Sequence, residues 1–358
     1  MTHAPLRSRQ HEVADPAEAD ELFQRNGWTD GFPVVPPTEV RVRACLAAAE
    51  LEPAALLGVE SVRGLPLTAE KVAVNAVMAG CLPAYFPVVV AAIRAMCDER
   101  FLLHGTSAST GGSAPLIVVN GPIRREIAMN ATHNALANGS RANATIGRAV
   151  RLCLLNLLGC VPGALDRSTL GHPGKFTLCV AEDEEDSPWR PLAQERGVAD
   201  GVSAVTVVAV ESPRQVMNEW TDDPAELCET FAAEMRGNML TYSIWAGPYV
   251  LVIPKQLRDL FVAAGWQKRD VREYVHRAAR VRREDWRRVG KSRLVTPENA
   301  GREFTALRAP DDLLVVAAGG PAGGFAAVIP PWFGAKSQAV TRLVQGRRAG
   351  CRTGCQTG

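Results

Sequence analysis

No stretch of this chain approaches the roughly eighteen unbroken apolar residues that cross a bilayer as a helix, and residues 1–20 contain no apolar leader core. The expectation is a cytoplasmic protein without membrane contact. A formal net charge of +2 is too small to attract a polyanion. The local basic run at 280–293 reads as a solvated helical face, so no nucleic-acid partner is expected. The nine cysteines form no C-x-x-C pair, which excludes a zinc ribbon or thioredoxin-type motif. No Gly-Lys-[Ser/Thr] follows the loop at 105–113, and the turn at 319–325 has no helix after it, so no nucleotide cofactor is expected.

What the chain does have is 47% hydrophobic residues over 358 positions, enough for a large core. Short apolar strands alternate with helical stretches, which predicts an α/β layered sandwich with a mainly parallel or mixed sheet. Helices are expected at 16–25, 38–51, 68–81, 87–97, 224–236, 256–264 and 271–288. Strands are expected at 101–104, 115–120, 176–181, 202–211, 249–254, 313–318 and 325–329. A linker at 194–201 divides two similar-sized halves, 27–193 and 202–345. They are preceded by a loose arm and short helix (1–26) and followed by a flexible tail (346–358) that carries Cys351 and Cys355.

The stretch from Asn138 to Arg148 is a Gly/Ser/Asn turn feeding a long apolar helix, an arrangement that aims backbone N–H groups and a helix dipole at an anion. Arg141, Thr145, Arg148 and Arg151 share one face of that helix. Arginines on a buried helix call either for an anionic ligand or for an internal salt-bridge network, and the sequence leaves both open. Asn143 joins this group, and Ser107 and Thr110 lie in the small, polar loop 105–113. Trp28, in the rigid segment 27–38, lines a pocket or staples that segment to the core. Cys81 closes a helix on which Lys71 and Asn75 share a face, and it reads as a nucleophile or as a core thiol. His104, His133 and His172 each stand in a polar loop, and their convergence would make a metal site.

Residues 27–38, 70–81, 117–122 and 139–148 together resemble a bacterial family that accompanies, or is fused to, thiol or selenol proteins named for a U-G-S-C motif. The resemblance runs from Gly27 to about Thr341. It implies sulfur or selenium chemistry nearby, although this chain has no G-[UC]-G-S-C segment of its own.

These readings combine into an enzyme of lyase or transferase type acting on a small carboxylate or phosphate, with the site between loop 105–113 and the helix starting near Asn143. Substrate contacts fall to Arg141, Asn143, Thr145, Arg148, Ser107, Thr110, Asn75 and Trp28, and acid/base or thiol chemistry to His104, Cys81 and Lys71. The alternatives are a hydrolase or lyase using a divalent metal on His104, His133 and His172, and a non-catalytic carrier for a thiol or selenol partner. A homo-oligomer is expected.

Overall fold

The computed structural model describes residues 4–242 and 245–346. In chain order the elements are α1 (Pro16–Arg25), α2 (Glu39–Ala48), β1 (Leu56–Glu60), β2 (Leu65–Thr68), α3 (Ala69–Ala79), α4 (Phe86–Met96), α5 (Leu103–Ser107), β3 (Ala114–Asn120), α6 (Ile123–Glu126), α7 (Arg141–Leu158) and β4 (Cys179–Ala181). Then come α8 (Leu192–Glu195), β5 (Ala204–Val210), β6 (Arg214–Met217), α9 (Pro224–Thr241), β7 (Tyr249–Ile253), α10 (Lys255–Ala263), α11 (Lys268–Ala278), β8 (Arg280–Arg282), β9 (Glu303–Thr305), β10 (Leu313–Ala317), β11 (Phe325–Ile329) and β12 (Val340–Leu343). Local chemistry sets the ends of the longer helices. Ser140 accepts from the Asn143 N–H at the start of α7, Gly159 ends it in the left-handed region, and Asp223 with Pro224 opens α9.

Two four-stranded sheets, ordered β12-β5-β3-β4 and β10-β7-β11-β6, pack face to face. Leu116, Val118, Val208 and Val210 of the first meet Val250, Val252, Leu314 and Val316 of the second. The alternate residues Ile117, Val119, Val205 and Val207 turn outward into a core shared with α3, α4 and α7. Leu251, Ile253 and Val315 turn outward toward α9, α10 and α11. The result is a helix/sheet/sheet/helix sandwich, and β3, β5 and β7, buried at every position, are mostly apolar because both their faces are covered.

The two sheets follow one plan. Ile117 pairs with Cys179 in parallel and with Val207 in antiparallel, just as Leu251 pairs with Val315 and Val328. Each half sends its last strand into the other sheet: β12 pairs with β5 (Val340 with Val207) as β6 pairs with β11 (Arg214 with Val328). The two arms cross at the bridge between Val210 and Pro331, where the Glu211 N–H donates to the Pro330 carbonyl and the Trp332 N–H donates to the Ala209 carbonyl. A pseudo-two-fold axis therefore passes through this crossing.

The α/β layers match the sequence reading, with mixed sheets in which each holds a single parallel pair. Strand β5, placed by the linker in the second half, pairs with β3 of the first. Residues 101–104 form a turn and the start of α5, with Leu102 left-handed, where a strand was expected. The helix expected at 271–288 stops at Ala278 and gives way to β8. Residues 4–15, expected to be loose, lie against the body: the Arg7 and Ser8 N–H groups donate to the buried Glu70 carboxylate, and His11 packs edge-on against Trp28 at 5.4 Å. Cys351 and Cys355 lie outside the described residues.

Candidate active site

A crossover helix runs back along the strands it connects, so α7 begins at the carboxyl edge of β3 while loop 105–113 precedes β3 at its amino edge. At about 1.5 Å of rise per residue the 18 residues of α7 separate these ends by about 27 Å. The site expected between them is divided, and the arginines of α7 serve the fold. Arg141 donates to the Gly80 carbonyl at the end of α3 (2.9 Å). Arg148 holds Asp30 through two hydrogen bonds of 2.7 and 2.8 Å and also reaches the Pro33 carbonyl, stapling the segment 27–38. Arg151 donates to the Lys175 carbonyl. Asn143 exchanges hydrogen bonds with the Asn130 backbone, and Thr145 donates to Arg141 within the helix.

The remaining expected residues scatter as well. Asn75, buried, spans Lys71 O and Asn156, whose amide also reaches Trp28 O, while the Lys71 residue is exposed. Trp28 packs on Phe23 and His11 as a staple. Cys81 is buried with its thiol directed at the Thr145 carbonyl, and desolvation pushes it up to about 12, which keeps it a protonated core thiol. His104 stands 3.7 Å from Glu60, His133 lies exposed against Gly320, and His172 caps the turn at Gly174. Among the described residues no group of three His, Cys, Asp or Glu side chains is placed to hold a metal. Glu182 and Asp183, at the carboxyl edge, are bound by Lys268 and Arg258.

The amino edge, beside the arm crossing, is where reactive groups gather. Ser107 there is internal, donating to the Leu103 carbonyl, and Thr110 offers its carbonyl to the Thr169 N–H. Ser109 accepts from the Trp332 indole at 2.7 Å and from the Gly111 N–H at 2.9 Å. Tyr242, stacked on Phe333, donates its hydroxyl to Glu211 at 2.6 Å. A Cβ on Gly111 would fall 2.5 Å from the Tyr242 hydroxyl, 3.1 Å from the Phe333 ring and 3.3 Å from Ser109 Oγ, so these three side chains surround one point and require glycine there.

Glu211 is only 8% exposed, and desolvation raises its carboxyl above the ordinary range against the pull of the Tyr242 hydrogen bond. Desolvation, joined by Glu211, pushes the Tyr242 phenol far up. Burial, with Lys175 and Arg151 close by, brings His172 down to about 4, so its imidazole is neutral at pH 7. His172 Nδ1 accepts from the Gly174 N–H, and the imidazole also bonds the Val210 backbone. Lys175 donates to Asp166 at 2.5 Å and to Ser168 at 2.6 Å, and desolvation lowers it. The edge thus holds a buried carboxyl of raised proton affinity, its phenol partner, a neutral imidazole and a cation.

A cavity of about 730 Å³ adjoins this cluster, lined by Trp245, Ala246, Glu303, Phe304, Thr305, Arg308, Trp332, Phe333 and Lys336. Trp332 and Phe333 belong to both cavity and cluster. Comparison of the chain with protein-family models, with curated proteins and with solved structures finds no match. Of the cluster, sequence reasoning missed Glu211, Tyr242, Trp332, Phe333, Asp166 and Lys175. Glu211 had a local signal, a lone carboxylate ending a mostly apolar strand before Ser212-Pro213. Tyr242 and Trp332 had none, because the arm crossing brings them in from distant parts of the chain.

Proposed function

We propose that this protein is an enzyme that performs acid/base chemistry on a small anionic molecule, with Glu211 as the proton-transferring group. The observation that carries the reading is the Glu211–Tyr242 pair, a desolvated carboxyl held by a 2.6 Å phenol hydrogen bond beside a backbone loop cleared of side chain at Gly111. Desolvation makes this carboxylate a stronger base than one in water, and the fixed phenol holds it in a single orientation. In the step it supports, a C–H bond next to a substrate carboxylate breaks. The proton passes to Glu211, and the electron pair stays on the substrate for elimination or return of a proton. Ser109 and Tyr242 supply hydroxyls around the reacting centre, and neutral His172 stands near as a second proton carrier. Thiol chemistry loses support because every described cysteine is held protonated by burial.

The test is incubation with a panel of short carboxylates and phosphorylated acids in deuterated water, read by proton NMR. A substrate should lose its C–H signal with the wild type and keep it with Glu211→Gln, while Tyr242→Phe slows exchange by about tenfold or more. Exchange that persists in Glu211→Gln, or a panel with no exchange at all, would overturn the assignment.

A further inference from the structure

The pseudo-two-fold axis places the aromatic cavity in the same position in the second half as the acid/base cluster occupies in the first. The cluster is built from the segment before β3 (Ser109, Gly111), the segment before β4 (Asp166, His172, Lys175) and the residue after β5 (Glu211). The cavity is built from the segment before β7 (Trp245, Ala246), the segment before β10 (Phe304, Thr305, Arg308) and the residues after β11 (Trp332, Phe333, Lys336). Registers give the counterparts. Equal counts from Val207 and Val328 match Glu211 with Trp332, from Ile117 and Leu251 match Gly111 with Trp245, and from Cys179 and Val315 match His172 with Arg308. Glu211, Gly111 and His172 of the first edge thus have aromatic or cationic counterparts in the second.

The geometry points to one composite site spanning the axis, in which the aromatic cavity binds a planar aromatic ring bearing a carboxylate and presents a side arm of that molecule, with a C–H next to a second carboxylate, to Glu211. This rests on the acid/base reading for the reacting end and adds the substrate class. A volume of about 730 Å³ suits a drug-sized ligand. Trp245, Phe304, Trp332 and Phe333 offer ring faces and edges, and Phe333 packs on both Trp245 and Trp332 with centroids 5.4 and 5.7 Å apart, a prebuilt aromatic wall. Of the charged lining residues, Glu303 lies 3.8 Å from Arg280 and Arg308 is bound by Asp312 at 2.7 Å. Among the described residues no carboxylate lies within ion-pair distance of Lys336, which makes it the cation for the ligand's carboxylate. The hydrogen bond from Trp332 to Ser109 joins the two halves of the site.

The experiment is a titration of the full chain with 2-naphthoate and with cyclohexanecarboxylate, followed by tryptophan fluorescence and calorimetry. The aromatic acid should bind about tenfold tighter, as two ring contacts of about 0.5–1.5 kcal/mol each predict. Trp332→Leu and Phe304→Leu should each erase most of that preference, and Lys336→Gln should weaken 2-naphthoate while leaving neutral 2-naphthamide unchanged. Binding is read without turnover: the aromatic preference with no C–H exchange on any substrate would count against the acid/base reading alone, and exchange with no aromatic preference would count against the cavity alone. Equal affinity for the two acids, or a preference that survives both Trp332→Leu and Phe304→Leu in folded protein, would overturn the assignment.

Discussion

The two edges of the sandwich treat charge in opposite ways. At the carboxyl edge of the parallel pairs, charges satisfy one another: Glu182 accepts from Lys268 at 2.6 Å, from Asn120 and from the backbone of Leu192, and Arg258, fully buried, holds Asp183 and Asp186. The cavity there is small, about 260 Å³, and Arg124 within it is bound by Glu184 and Glu185. At the amino edge, Glu211 has a phenol and no cation within ion-pair distance among the described residues. A ligand is expected at the carboxyl edge of parallel strands in an open α/β sheet. Here the swapped arms cross at the other edge, and it is the one that leaves a buried carboxylate, Glu211, without a cation. Paired buried charges hold a fold together, and groups left short of partners are the ones free to react.

This contrast can be broken most forcefully at Glu182. Replacing it with Ala leaves buried Lys268 only its longer 3.7 Å pair with Glu195 and should cost about 3 kcal/mol in denaturant unfolding, with aromatic-acid affinity unchanged in the folded protein. A loss of affinity in stable protein would show that the carboxyl edge serves the ligand. Arg148→Ala removes two charge-assisted hydrogen bonds to Asp30 and should cost about 2 kcal/mol, again without effect on binding of small anions. Weaker anion binding at unchanged stability would restore the helix α7 site. Gly111→Ala sharpens the comparison from the other side. Its Cβ displaces the Tyr242 hydroxyl, so Glu211-dependent exchange should fall by about tenfold or more, whereas the melting temperature should move little.

The smallest effects are in the pH dependence of stability. His172 titrates at about 4 in the folded protein against 6.5 ordinarily. Its contribution is therefore complete above pH 6.5 and is lost as pH falls toward 4, and His172→Asn should flatten that acid limb of the melting curve. Glu211 has the opposite sign, since its folded value is raised. Its contribution is complete below the ordinary carboxyl range and is lost as pH rises through the folded value. Glu211→Gln should therefore melt higher than wild type at pH 7 and equal to it near pH 4. A variant that melts lower at pH 7 would mean that the carboxylate is stabilised by its surroundings.

Much of the layering was legible from local signals. The runs at β3, β5, β7, β10 and β11 are apolar because both faces are covered, and Pro16, Thr38, Thr68 and Pro224 mark helix starts within a residue or so of their places. The amphipathic strands β6 and β12, of four residues each, carry no comparable signal, and their pairing is entirely long-range. The arginine stripe on α7 was legible as a stripe. Its partners Asp30, Gly80 and Lys175 lie far off in the chain, so the choice between ligand and salt bridge lay beyond any local window.

By itself the sequence determined the α/β layers, the buried character of α7 and the need for permissive backbone in loop 105–113, because periodicity, capping and glycine act over a few residues. Only the tertiary structure decided that each half lends a strand to the other, that Glu211 meets Tyr242, and that Trp332 stands where Glu211 stands in the opposite half. Those outcomes depend on where two arms cross, and strand pairing across more than a hundred residues is chosen by the packing of the whole sandwich and not by any local propensity.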